Sequence, residues 1–325
     1  MNPRIGKLRE ELQGGRHMVS LERAILATEY CREHETRALE DEARSELFRH
    51  LCMVRRVHVG ENELIVGERG PAPGVVPLFP EQADSEGNFA SIPDNVFETD
   101  AGEPDAFEQQ VIPYWRDVLS QDGFAVRSNH DRISFGDDFD MLCRKGILAR
   151  KAVIAKNMGA EGPDQDRQLR AMDTACNGIM IFAVRHAELA DSMADAMEQE
   201  QDDLDRVAQL RHMADVCRRV PAHAPCDFWE ALQMLWFLHL GAQMESAQSV
   251  PLPKDALLNY LTPFYERDTK KGGMPREFAR ELVACFLIKA YTHGMLDLPE
   301  NADSELAQLM SEVAKELHLE KQGVY

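Results

Sequence analysis

No two of the seven cysteines form a Cys-x-x-Cys pair, and no Asn-x-Ser/Thr acceptor occurs anywhere in the chain. The thiols (Cys31, Cys52, Cys143, Cys176, Cys217, Cys226 and Cys285) are scattered, and the N-terminus MNPRIGKLREEL is charged, with no apolar leader segment. That combination fits reduced thiols in the cytoplasm rather than a disulfide framework. Positive charge is scarce: 36 Lys and Arg face 56 Asp and Glu, for a formal charge of −20. Phosphate backbones recruit Lys and Arg, so nucleic acid is not an expected partner. A membrane helix is excluded as well, because no uninterrupted apolar run reaches the required length of about 18 residues. Nucleotide cradles of the G-x-G-x-x-G and G-x-x-x-x-G-K-[ST] types are missing, as are the H-E-x-x-H zinc pair and the G-x-S-x-G elbow. None of the eleven histidines follows a glutamate by three residues, which removes the ligand pair of helical di-iron bundles.

What the chain does have is one very apolar helix. In PCDFWEALQMLWFLHLGAQMES, Pro225 to Ser246, Asp227 is placed as an N-cap ahead of a run interrupted only by Glu230, Gln233, His239 and Gln243. A helix apolar on most of its circumference belongs inside a large core, and this one carries two of the three tryptophans. At 325 residues the chain can hold one large domain or two ordinary ones.

Around that helix the chain reads as mainly α with a few strands. Helices are expected at Arg4–Leu12, from a Ser20 cap onward, and at Asp41–Val54, where Ala43, Leu47, Leu51 and Val54 share one stripe. Val57–Val59 and Leu64–Val66, flanking GENE, read as a tight strand pair or an extended elbow. Gly67 to Pro93 is rich in Pro and Gly, as in a functional loop or a surface wrap. Further helices follow at Asp105–Leu119, Phe139–Met158, Asp166–Met197 (with a break near Asn177-Gly178) and Leu204–Arg218. Ala256–Glu266, Arg276–Tyr291 and Ser304–Leu317 complete the series. A boundary within the chain is expected near 159–166, where GAEGPDQD forms a linker.

Three places could carry chemistry. His130, in the polar loop RSNHDRISFGDD, either holds a substrate hydroxyl or carboxylate or is an exposed loop histidine capping the next helix. Glu245 and Ser246 end the buried helix, where they either face inward as polar groups or reach solvent. Glu230 and Gln233 share one helical face, which is either a solvent-facing stripe or a buried pair that needs partners.

The order of blocks carries a resemblance. RIGKLREEL, SLERAILATEY, ENELIVGERGPAPGVVPLFPE and VIPYW resemble the N-terminal region of glycyl radical enzymes of the pyruvate formate-lyase family. SNHD followed by MLCRKGILA is similar to that family's Gly-His loop and the helix behind it. RHAELADSMA, RHMADVCRRVPAHAPCDFWEALQMLWFLHLGAQMES and LTPFYERDTKKGGMPREFARELVACFLIKA continue the likeness across nearly the whole chain, closest to the dehydratase, lyase and decarboxylase branches. The resemblance implies the N-terminal portion of a ten-stranded α/β barrel and a lyase breaking C–C, C–O, C–N or C–S bonds of a small polar substrate. It implies a glycyl radical installed by a separate S-adenosylmethionine-dependent iron–sulfur activase, with no cofactor bound directly to this chain. His130, Glu245 and Ser246 are then substrate-binding positions. The radical cysteine and the glycine loop would lie beyond Tyr325, so the chain is expected to be inactive without a missing C-terminal half, its partner alongside the activase or a second copy. The stretch ESAQSVPLPKD departs from the family, with no histidine and with Lys254 where an arginine is expected; a non-catalytic helical binding protein or decoy is the alternative. A barrel cut midway is further expected to leave open strand edges and an exposed apolar face at Phe228–Leu240.

Overall fold

The computed structural model describes residues 2–14, 18–36, 40–82, 96–97, 102–120, 137–160, 162–200, 203–245, 254–293 and 304–319. The chain opens with helix α1 (Pro3–Gly14), strand β1 (Met18–Ser20) and helices α2 (Glu22–Glu33) and α3 (Asp41–Val54). Strands β2 (Val75–Pro77) and β3 (Val96–Phe97) follow, then helix α4 (Glu103–Ala106), which runs through a π-helical turn at Phe107–Val111 into α5 (Ile112–Ser120). The remainder is helical: α6 (Asp137–Lys145), α7 (Ile147–Asn157), α8 (Pro163–Gln199), α9 (Leu204–Arg219), α10 (Phe228–Met244), α11 (Lys254–Lys270), α12 (Arg276–Thr292) and α13 (Glu305–Glu316). The expectation of a mainly helical chain with few strands is met. Among the described residues the strands form one parallel sheet in the order β2-β1-β3, with Met18 opposite Val75 and Val19 opposite Val96.

Helix α10 is the centre of the larger core, and its cap is the expected one: the Asp227 carboxylate accepts the Glu230 N–H at 2.8 Å. Every residue from Phe228 to Phe237 is buried, because α6, α8, α9, α11 and α12 all pack against this helix. The exposed apolar face expected at Phe228–Leu240 is therefore absent: this chain covers its own central helix. At about 1.5–3 kcal/mol for each large apolar side chain removed from water, this is the main hydrophobic contribution of any single helix here. A smaller core lies beside it, where Leu21, Ala24 and Tyr30 of the α2 region meet Leu47 and Leu51 of α3 and Phe107, Val111 and Trp115. The Trp115 indole donates to Thr28 Oγ1 at 2.9 Å, and Thr28 in turn donates to the Ala24 carbonyl at 2.6 Å, so the buried polar tips are paired.

Several sequence-based boundaries shift for physical reasons. Ser20 belongs to β1 rather than capping α2, although its Oγ still accepts the Glu22 N–H at 3.2 Å. The helix expected at Phe139–Met158 is two helices, since the Ile147 and Leu148 N–H groups donate to the carbonyls of Pro221 and Ala222 at 2.9 and 3.0 Å and start a new helix there. The break expected near Asn177-Gly178 does not occur; α8 runs unbroken for 37 residues. Gly178 serves close approach instead, for a Cβ there would stand 3.0 Å from the Phe48 ring of α3. Residues 57–66 form no strand pair, and their extended path has a different support.

Candidate functional site

The segment 60–69 crosses the larger core without a β ladder, so its backbone polar groups must find side-chain partners or be buried unpaired. Helix α10 supplies several from one face. Trp229 Nε1 donates to the Leu64 carbonyl at 2.8 Å, and Trp236 Nε1 to the Gly67 carbonyl at 2.9 Å. Between them Gln233 mimics a β-strand: its Oε1 accepts the Val66 N–H at 2.9 Å and its Nε2 donates to the Val66 carbonyl at 2.8 Å. Positions 229, 233 and 236 recur at helical spacing, so one face reads three successive points of an extended chain. Gly67 has φ +114°, and a Cβ there would come within 2.9 Å of Leu240, so both conformation and contact select glycine. Arginines complete the cradle. Arg206 donates to the carbonyls of Glu63 and Gly60 at 2.9 and 2.8 Å, Arg4 to that of Asn62 at 2.7 Å, and Arg55 to those of Arg69 (2.8 Å) and Glu68.

This cradle delivers two carboxylates to a cation in the interior. Lys289, on α12, lies 2.9 Å from Glu63 Oε1 and 2.5 Å from Glu68 Oε1, and the Lys289 and Glu68 side chains are each only 3% exposed. Burial alone would raise the Glu68 carboxyl pKa, but the Lys289 ammonium and the His293 hydrogen bond outweigh it and hold the group down to about 2. Burial likewise works against the ammonium of Lys289, and the two carboxylates more than reverse this, pushing its pKa above the ordinary range. One turn further along α12, His293 Nε2 lies 3.1 Å from Glu68 Oε2 and Nδ1 lies 3.2 Å from Gln243 Oε1 on α10. Burial pushes the imidazole pKa down despite Glu68, so the ring is neutral and its Glu68 contact is a hydrogen bond rather than an ion pair. A neutral ring that donates from Nε2 needs a donor at Nδ1. Turning the Gln243 amide supplies one, and it pairs the Gln243 Nε2 that otherwise lies buried without a partner.

Two more histidines occupy the same interior. His186 donates from Nδ1 to the Phe182 carbonyl at 2.8 Å and packs on the Phe182 and Phe237 rings; burial pushes its pKa down to about 3. His239 is also held well below its ordinary range, first by burial and then by the charges around it.

Of the three substrate positions expected from sequence, Glu245 alone lies among the described residues; His130 and Ser246 fall outside them. Glu245 follows the last turn of α10 and is half-buried. Arg44 of α3 clamps it, donating to its carbonyl at 3.2 Å and lying 3.6 Å from its carboxylate. Burial raises the Glu245 pKa against the pull of Arg44, and the 29% solvent exposure of the side chain tempers the shift. A carboxyl with a raised pKa can hold a proton nearer neutral pH than an ordinary one. Glu230 and Gln233 prove to be the buried pair with partners. Glu230 accepts from Arg219 Nε at 3.0 Å and from the Cys226 N–H at 2.6 Å.

Sequence reasoning overlooks one Cys-x-Glu triplet, Cys31-Arg32-Glu33. It lies on α2 with the thiol buried and the carboxylate exposed, and burial pushes the thiol up to about 12. Five of the thiols (Cys31, Cys52, Cys143, Cys217 and Cys285) are buried, Cys176 is half-buried and Cys226 is exposed, and no step is derived through them. Among the described residues, no three His, Cys, Asp or Glu side chains gather as metal ligands, and no helix is long and apolar enough to cross a membrane. The interior quartet of Glu63, Glu68, Lys289 and His293 was also missed. Its signal is present in the sequence: Lys289 and His293 continue the apolar stripe Leu282, Cys285, Phe286, where a polar residue has to be buried.

The family model described as pyruvate formate lyase-like matches residues 1–305. Trans-4-hydroxy-L-proline dehydratase of Clostridioides difficile is 28% identical over 314 residues, covering 88% of this chain and 39% of that protein. Isethionate sulfite-lyase of Desulfovibrio desulfuricans is 24% identical over 328 residues, covering 88% of this chain and 38% of that protein. The crystal structure of hydroxyproline dehydratase from Clostridioides difficile, with trans-4-hydroxy-L-proline bound, superposes with a TM-score of 0.75 at 25% identity, over 98% of this chain and 46% of that one. The chain thus spans less than half the length of the relatives it matches, with the fold of one part of their barrel. Helical shell, parallel strands and an unbroken match over residues 1–305 together make this chain a member of the pyruvate formate lyase-like family.

Proposed function

We propose that the chain supplies the N-terminal portion, as one pyruvate formate lyase-like unit, of a cytoplasmic glycyl radical lyase that cleaves a C–C, C–O, C–N or C–S bond of a small polar substrate. The observation that carries this reading is the continuous family match over residues 1–305, with a dehydratase and a sulfite-lyase among the relatives. The radical, installed by a separate S-adenosylmethionine-dependent iron–sulfur activase on the remaining portion, would supply hydrogen-atom transfer. This chain's residues bind and orient. His130 and Ser246 offer hydrogen bonds to a substrate hydroxyl or carboxylate, and Glu245, placed by Arg44, offers a carboxyl whose pKa burial raises. The buried helix α10 keeps water from the interior that Glu245 borders. Turnover requires the C-terminal portion, and this chain alone is inactive.

A second reading, a non-catalytic binding protein or decoy derived from the same family, draws on the departure ESAQSVPLPKD with Lys254. Reading the DNA downstream of the Tyr325 codon in all frames separates the two. A Cys-x-Glu block followed by an Arg-Val-x-Gly-Tyr/Phe loop supports the lyase, and the assembled protein should then give a glycyl radical EPR signal with its activase. Absence of both blocks overturns the catalytic reading and leaves the binding protein.

A further inference from the structure

The quartet contains more histidine and amide than an ion pair needs. Lys289 already satisfies the charge of Glu68 through Oε1, yet Oε2 is taken by His293, whose other nitrogen meets Gln243. These three contacts join three separate parts of the chain: the extended segment 60–69, the last turn of α12, and the last turn of α10. Gln243 stands two residues before Glu245, the α10 terminus that Arg44 clamps. Trp236, stacked edge-on against His293 at 5.0 Å, fixes the plane of the imidazole. The last turn of a helix is ordinarily the part that frays, because its carbonyls lack intrahelical partners. Here that turn has a side-chain tether at Gln243 and an arginine at Glu245.

We infer that the Glu68–His293–Gln243 relay is a positioning device that fixes the last turn of α10 and, through it, the carboxylate of Glu245. The inference rests on the reading of Glu245 as a substrate contact for its functional meaning, but the relay itself is testable without substrate. Its polarity is specific. Lys289 anchors Glu68, the imidazole donates to Glu68 Oε2, and the Gln243 amide donates to Nδ1, so the ring acts as a neutral spacer of defined length with one donor and one acceptor. The groups facing the ring are Glu68 from the extended segment, Gln243 and Trp236 from α10, and Lys289 from its own helix, with Arg69 and His239 as further charged or titratable neighbours.

Glutamine can reproduce that pattern and leucine cannot. An amide at position 293 still offers N–H to Glu68 and C=O to Gln243. The experiment is hydrogen exchange on the full chain, comparing wild type, His293→Leu and His293→Gln, and reading the amides of Met244 and Glu245 against those of residues 232–240. His293→Leu should raise exchange at Met244 and Glu245 about tenfold, the scale of one lost hydrogen bond, with 232–240 unchanged. His293→Gln should return it to within about threefold of wild type. Gln243→Met tests the same link without touching the partners of Glu68, so it remains informative if His293→Leu fails to fold; it should reproduce the local tenfold rise. Equal exchange in His293→Leu and His293→Gln, or no local change in Gln243→Met, overturns the relay. Because exchange is read in this chain alone, such a failure leaves the lyase reading standing, and loss of the lyase reading leaves the relay intact.

Discussion

Two charge networks in this protein use the same side-chain chemistry in opposite surroundings. In the interior, Lys289 meets Glu63 and Glu68 with almost no solvent contact. On the outside of the α8–α9 pair, Arg211 reaches Asp191 at 3.3 Å, Glu198 at 3.0 Å and Asp195, while Arg218 reaches Asp191 and Asp215. The exposed network has more partners, and counting contacts would rank it first. Burial reverses that order. Water and salt screen the exposed charges, whereas a buried charge that loses its partner keeps its full desolvation cost. The interior network therefore couples distant parts of the chain, and the surface network decorates a helix pair that packs without it.

The sharpest way to break the interior side is Lys289→Met, which fills the space but leaves two carboxylates buried without a cation. The expected loss is about 3–5 kcal/mol in urea unfolding, possible only because the geometry is closed to water. Adding Glu68→Gln and Glu63→Gln should recover much of it, since neutral amides need no counter-charge. Recovery by neutralisation distinguishes unpaired charge from lost packing. Next in size is Gln233→Leu, which strands the Val66 N–H and carbonyl inside the core and should cost about 3 kcal/mol, at about 1–3 kcal/mol for each unpaired buried group.

Acid provides a third test. His186, His239 and His293 all have folded pKa values pushed below the ordinary range by burial. A base whose folded pKa is depressed contributes stability that is complete above its unfolded value, near 6.5, and is lost as pH falls toward the folded value. For His186, with its folded value at about 3, the loss between pH 7 and pH 5 should be about 2 kcal/mol. His186→Phe should remove that share of the loss and leave the part due to His239 and His293, read by urea unfolding at the two pH values. Glu68 adds a separate loss lower down, as pH falls from the usual carboxylate range toward about 2. The surface arginines gain no such dependence between pH 7 and 5.

How much of this could be read from the sequence depends on distance along the chain. Helix α10 was legible because its signal is local: Asp227 precedes an apolar run, and both its cap and its burial are found as read. Helix α3 was legible for the same reason: it spans Asp41–Val54 as read, although Val54 itself is exposed and the buried face runs through Leu47, Phe48, Leu51 and Cys52. The quartet was not, because Glu68 and His293 lie 225 positions apart and nothing near either names the other. The extended segment 60–69 misled for a related reason. Val57–Val59 and Leu64–Val66 have the composition of strands, but the side-chain hydrogen-bond partners of segment 60–69 include Trp229, Gln233, Trp236 and three arginines, Arg4, Arg55 and Arg206, which no periodicity within the segment reveals. Gly178 shows the opposite error: a residue that ends many helices instead lets α8 approach Phe48. Glu245 stands at the end of a buried helix, as the sequence reads, while the arginine that clamps it comes from α3, some 200 residues earlier.

The smallest expected effect completes the comparison from the exposed side. Arg211→Ala removes three ion-pair contacts at once, the most of any surface residue in the α8–α9 pair. Those contacts nevertheless join side chains that water already solvates, and α8 and α9 remain packed through Ala187, Ala190, Ala194, Val207, Leu210 and Ala214. The urea midpoint should not move measurably, and raising salt should leave wild type and variant alike. A clear loss in Arg211→Ala that high salt abolishes would mean the surface charges act as a network with a strength that exposure does not predict. The ranking of the two networks would then rest on geometry rather than on burial.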